Sequence, residues 1–144
     1  MNTLFHTIIV QLNYLQDLSL LAIRSVLAYG FYEPAKTKWA DIPSVAEWFS
    51  NMGIPMPLFN AYLSASFEML GVFLLLLGLF TRFISIPLII IMLVAIQTVH
   101  WENGFAASNN GFEIPLYYLL FLFVLLTHGP GKYSVDHFLN IDRK

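Results

Sequence analysis

The chain has no cysteine among its 144 residues. Disulfides, thiolate catalysis and cysteine-ligated iron–sulfur or zinc centres therefore lie outside its chemistry. Charge is scarce too. Lys, Arg, Asp and Glu together make up 11% of the sequence, against about 25% in ordinary soluble domains. With a net charge of −2 and no basic stripe, nothing marks a nucleic-acid binder. The first 23 residues carry no Lys or Arg, and no small-residue cleavage site follows an apolar core. The N-terminus therefore reads as retained rather than as a signal peptide. The apolar–polar alternation of a membrane β-barrel is missing, as are internal repeats and low-complexity tracts.

What is present is apolar. Hydrophobic residues make up 58% of the chain and the mean hydropathy is +0.68. A chain of this size cannot hide that much apolar surface in one water-soluble core, so a lipid bilayer is the expected solvent. Backbone groups in lipid must be satisfied within each segment, which requires helices. The expected fold is all-α: a four-helix transmembrane bundle forming one integral membrane domain over 1–144. Its spans fall at about 17–34, 60–80, 83–100 and 113–128, the first stopped near Pro34. Thr81-Arg82 makes a tight hairpin between the second and third.

Short interfacial helices are expected in three places. Leu4, Phe5, Ile8, Ile9 and Leu12 recur at helical spacing in the N-terminal segment. In the first outer loop, 35–59, Ser44-Val45-Ala46-Glu47 fits a capping box and Gly53 a helix stop, with Trp48 and Phe49 at headgroup level. In the C-terminal tail, Val135, Phe138 and Leu139 share helical spacing. Arg82, Lys132, Arg143 and Lys144 lie on the side of the termini, and Lys36 and Lys38 on the other. This bias places the termini in the cytoplasm.

Two charges fall inside spans. Glu68 lies about 12 Å below the outer end of the second at about 1.5 Å per residue. Arg24 lies about 14 Å below the exit of the first near Glu33 by the same rise. On the second span Ala61, Ser64, Glu68, Gly71, Leu75 and Gly78 form a mostly small-residue seam that turns Glu68 into the bundle. On the first, Asp17, Arg24 and Phe31 share a face at spacing seven. A guanidinium does not escape burial by deprotonating. Its mid-span cost of about 2.5–3.5 kcal/mol is comparable to the roughly 4 kcal/mol that an ion pair at about 4 Å returns at an effective dielectric near 20. An Arg24–Glu68 pair is therefore expected, either functional or serving only to fix helix order. Nearer the outer surface, Glu33, Gln97, His100, Glu102, Glu113 and Tyr117 gather at helix ends, as around a polar cavity opening outward.

Arg24 in the first span, "AYLSASFEMLGVFLLLLGLFTR", "MLVAIQTVH", "NGFEIPL" and "GPGKYSVD" follow one another in an order and spacing that resemble the DoxX family of small bacterial inner-membrane proteins. The likeness runs over roughly 18–136, and "RFISIPLIIIMLVAIQTVHWENGF" is most similar to the HvfX-like branch associated with copper-binding peptide maturation. It implies an inner-membrane, multi-pass protein linked to redox systems, with family positions at Arg24, Glu68, His100 and Glu113. Where the family's first-span motif commonly ends Gly-x-x-Lys, this chain has "GFYEPAK", with Glu33-Pro34 before Lys36.

Three functional readings follow. In the first, the chain is an accessory subunit of an oxidoreductase system whose outward cavity binds a quinone or similar ligand. Arg24 would steady a developing oxyanion, and Glu68, Glu113 or His100 would exchange protons, with Gln97, Tyr117 and Glu33 nearby. A partner protein would then carry the redox centre. In the second, the chain is a non-enzymatic membrane partner in copper-binding peptide maturation or metal handling. Met52, Met56, His100 and Glu102 would be the copper ligands. The third, a small transporter, fits least because the chain has no repeat. The expected partners are the bilayer, another protein carrying the redox or maturation chemistry, and a second copy of the chain.

Overall fold

A computed structural model describes the backbone of residues 2–141 and the side chains of residue 12 and of 15–141. Every regular element among the described residues is helical. Helix α1 covers Asn2–Ala40, α2 Ile42–Asn51, α3 Pro57–Leu77, α4 Thr81–Ala95, α5 Glu113–His128 and α6 Val135–Phe138. By length and apolarity, α3 and the helical run Thr81–Asn103 are able to cross a membrane, and α5 is a shorter apolar helix.

Helix α1 differs from expectation. It runs through Pro34 to Ala40 instead of stopping there. Proline removes one N–H and crowds the preceding turn, but the neighbouring turns carry the helix on. At the other end it continues without a break to Asn2, so the N-terminal segment is not a separate element. The side chains of Leu4, Phe5, Ile8 and Ile9, like Arg143 and Lys144, lie outside the described residues.

Helix α2 starts three residues before the expected capping box. Its N-cap is Asp41, whose carboxylate accepts from Ser44 N at 3.1 Å and from Ser44 Oγ at 2.6 Å. Ser44 is thus the donor that the cap serves, and not the cap. These bonds hold the exposed Asp41 carboxyl below the usual aspartate range. Helix α2 lays Ile42, Ala46 and Phe49 on Ala61 and Ala65 of α3.

The main core joins α1, α3, α4 and α5 through Leu20, Leu27, Phe31, Leu75, Leu88 and Leu122 among others. At the end where α3 passes into α4 these helices are tied into a polar knot. Arg24, fully buried, donates to Leu75 O at 3.1 Å and to Tyr133 O at 2.5 Å. Asp136 of α6 accepts from Phe80 N at 2.8 Å and Thr81 N at 3.0 Å. It caps the start of α4 from outside that helix. Gly78, at φ +66°, must be glycine for two reasons. The left-handed conformation disfavours a side chain, and a Cβ would lie 2.1 Å from Arg24 Nη1. Arg82 donates to Leu126 O and Thr127 O, and Lys132 pairs with Asp17 at 3.3 Å.

Candidate functional site

Away from that knot the helices diverge, and a cavity of about 880 Å³ opens among α1, α2, α3, α4 and α5. Most of its wall is apolar, with Phe31, Phe49, Phe67, Ile90 and Ile91 among the lining residues. Two helix-breaking residues, Pro34 of α1 and Pro87 of α4, also line it. Each leaves the carbonyl four residues earlier without its helical donor. For Pro34 that carbonyl belongs to Gly30, itself on the wall. Tyr118 packs so closely over Gly30 that a Cβ there would meet its hydroxyl at 1.9 Å. Its ring meets Phe31 edge-on at 5.5 Å.

One ion pair sits on this wall. Lys38 Nζ donates to Glu68 Oε1 at 2.5 Å. Glu68 is 2% exposed, and the Lys38 side chain 18%. Glu68 lies eleven residues into α3, about 17 Å along the helix at about 1.5 Å per residue, close to the middle of a span.

The pair corrects the expected one. Glu68 does face the bundle from the small-residue seam, but its partner is Lys38 and not Arg24. The cause is the length of α1. Because the helix ends at Ala40, Arg24 lies sixteen residues from its outer end, about 24 Å at the same rise. That puts it at the level of Leu75 and Gly78, at least seven residues below Glu68 on α3. Lys38 was missed, although the sequence carries its signal. The series Asp17, Arg24, Phe31 reaches Lys38 at the next step of seven, once the helix is allowed to pass Pro34.

The outer residues separate into two groups. Gln97 and His100 line the cavity. Both belong to a π-helical turn, Ile96–His100, that follows α4. Such wide turns recur at functional sites. The loop from Trp101 to Phe112 contributes Ala107, Asn110 and Gly111 to the cavity lining. His100 Nδ1 lies 2.8 Å from Asn110 O, and Trp101 stacks on Phe112 at 5.5 Å. Glu113 is spent on that loop. Its carboxylate accepts from Ala107 N at 2.9 Å and from Tyr117 Oη at 3.1 Å. Glu33 is exposed beside Lys36 at 3.7 Å. Of the residues named for copper, Met52 and His100 line the cavity, Met56 is 69% exposed, and Glu102 is exposed. Among the described residues no three His, Asp or Glu side chains cluster as a metal site.

The DoxX family model matches residues 19–101, more than half of the chain. A protein of Haemophilus influenzae described as uncharacterized is 34% identical over 122 residues, covering 82% of this chain and 81% of that protein. An uncharacterized membrane protein of Mycobacterium tuberculosis is 34% identical over 102 residues, 64% of this chain and 63% of that protein. No solved structure matches.

Proposed function

This chain is a membrane protein of the DoxX family, and from that premise we propose that it is an accessory subunit of a redox system whose cavity binds a quinone or a similar amphipathic ring compound. One observation carries the reading: an apolar cavity of about 880 Å³ whose wall holds, among the described residues, one buried ammonium–carboxylate pair. Small-molecule sites have this character, with apolar walls for bulk and a few fixed polar groups for orientation. Lys38 keeps N–H groups to offer a ring carbonyl beyond the one it gives Glu68. Phe31, Phe67 and Ile91 offer surface to the ring and its tail. In this reading the redox centre belongs to a partner protein, the chain itself having no cysteine to ligate an iron–sulfur cluster. Helices α1, α3, α4 and α5 are the four spans, lying in the bacterial inner membrane with both termini cytoplasmic.

Organic-solvent extraction of the detergent-purified protein, followed by mass spectrometry, tests this. Recovery of a quinone at near-equimolar amount is expected from the native protein, with loss of most of it from Lys38→Met. Protein that yields only phospholipid, and that takes up no added quinone, refutes the reading.

The alternative is a non-enzymatic partner in copper-binding peptide maturation, of the HvfX-like branch. It draws on Met52 and His100 facing the same cavity, one soft and one borderline donor for copper. Elemental analysis giving one copper per chain, lost in His100→Ala, would favour it over the quinone reading.

A further inference from the structure

Of the two oxygens on the Glu68 carboxylate, only one is used. Oε1 accepts from Lys38 Nζ, whereas no group among the described residues donates to Oε2. Its neighbours donate elsewhere. Ser64 Oγ, one turn away on the same face, gives its proton to Ala61 O, and Trp39 Nε1 gives its own to Ala65 O. Arg24 lies level with a point at least seven residues further along α3 and gives Nη1 to Leu75 O and Nη2 to Tyr133 O. Glu68 is nevertheless 2% exposed and lines the cavity. A buried carboxylate oxygen without a donor carries a desolvation cost that a matching donor removes. The ammonium beside it has three N–H groups, of which Glu68 Oε1 takes one. The pair thus holds, side by side, a covered acceptor without a donor and an ammonium with N–H groups left over, with no net charge between them.

Resting on the reading of the cavity as a quinone-type site, we infer that the Lys38–Glu68 pair selects its ligand by the hydrogen-bond donor it brings. The cavity takes the dihydroxy form of a para-quinoid ring in preference to the dione. A ring hydroxyl donates to Glu68 Oε2 while its oxygen accepts from Lys38 Nζ, so one ligand group satisfies both partners. The dione has acceptors only. It engages Lys38 and leaves Oε2 bare. An O-methylated ring has the same shortcoming while keeping its oxygens, so it separates the loss of the donor from the loss of the oxygen. Hydrogen bonds to charged groups are worth enough for the preference to reach about tenfold in affinity.

The test is anaerobic titration calorimetry on the full chain in detergent. The probes are a decyl-substituted para-benzoquinone, its para-dihydroxy form and the bis-methyl ether of that form. The dihydroxy probe is expected to bind about tenfold tighter than either of the others. Glu68→Gln is the informative variant. Its amide turns the carbonyl toward Lys38 and presents N–H to the ligand, exchanging the open acceptor for a donor. The preference should then fall to near unity or pass to the dione. A merely structural role for Glu68 would weaken all three probes alike. Equal or tighter binding of the dione to the native protein overturns the inference and leaves the cavity reading standing. Failure of all three probes to bind overturns both. If Glu68→Gln does not fold, the three-probe comparison on the native protein decides alone.

Discussion

Lys38 and Glu68 make sense only together. Each charge is shielded from water, and each is tolerated because the other lies 2.5 Å away. Removing one partner leaves an uncompensated buried charge, a change that costs about 3–5 kcal/mol in comparable sites. Lys38→Met is expected to lower the thermal midpoint by an amount within that range. Lys38→Met combined with Glu68→Gln removes both charges and should be more stable than the sum of the singles implies. A double-mutant cycle on thermal midpoints in detergent checks this, with a coupling of at least about 1 kcal/mol expected. Additive effects would mean that the two side chains do not share one energy. At the knotted end, Asp136→Ala removes two hydrogen bonds to the first turn of α4 from a residue 2% exposed. Loss of such a cap costs about 0.5–2 kcal/mol. The expected readout is a lower midpoint, with faster proteolysis of the tail after Gly129, because α6 is held to α4 by those bonds.

At the scale of the element, α1 and α2 carry the more instructive cases. A proline inside a helix costs about 3 kcal/mol relative to alanine, yet α1 keeps Pro34 on the cavity wall. Pro34→Ala restores a donor to the Gly30 carbonyl. It is expected to raise the thermal midpoint while weakening ligand binding; a variant both less stable and unchanged in binding would show that Pro34 serves packing alone. For α2 the relevant variable is pH. The Asp41 carboxyl is held below its usual range by its bonds to Ser44. A depressed pKa contributes stability above the unfolded-state value of about 3.9, and the contribution is lost as pH falls through the folded value. The protection of Ser44 N from hydrogen exchange, taken relative to the intrinsic rate at each pH, should begin to fall below about pH 4, the unfolded-state value, in the native protein. In Asp41→Ala protection should be low throughout and show no such step. Against this background, what the sequence made legible has a pattern. Helix α5 begins and ends at Glu113 and His128 as read from the apolar run and its flanking Gly-Pro-Gly. The burial of Glu68 followed from small residues spaced along one face of α3. What failed was local punctuation. The proline rule places a stop at Pro34 because it sees one missing N–H and not the packing on either side of it. Asp41 was passed over because Ser44 fits the same motif. The π turn at Ile96–His100 leaves no trace in a five-residue stretch, since one extra residue per turn is invisible to periodicity.

On the scale of the whole molecule the charges divide between two ends with different uses. Arg24, Arg82, Lys132, Asp17 and Asp136 meet at one end, where they tie four helices and the tail together. At the other end Lys36 is exposed, and Lys38 turns inward to Glu68. Taking Lys38 out of the count of surface cations sharpens the asymmetry that sets orientation, because a cation paired inside the bundle contributes little to the charge of its loop. Under the proposed topology the knotted end is the cytoplasmic one, and the cavity lies toward the other. In the proposed reading, a ligand with a long apolar tail would enter from the outer leaflet and place its head group at Glu68. The absence of cysteine makes this directly measurable, since any single cysteine introduced is the only one present. Glu47→Cys on α2 and Asn109→Cys in the 101–112 loop are exposed positions facing the cavity end. His137→Cys is exposed on α6 at the knotted end. In intact spheroplasts a membrane-impermeant maleimide is expected to label the first two and to reach the third only after lysis. Labelling of all three from outside would remove the four-span topology, while the reverse pattern would keep the spans and turn the cavity to the cytoplasm, placing any partner that feeds or drains it on that side.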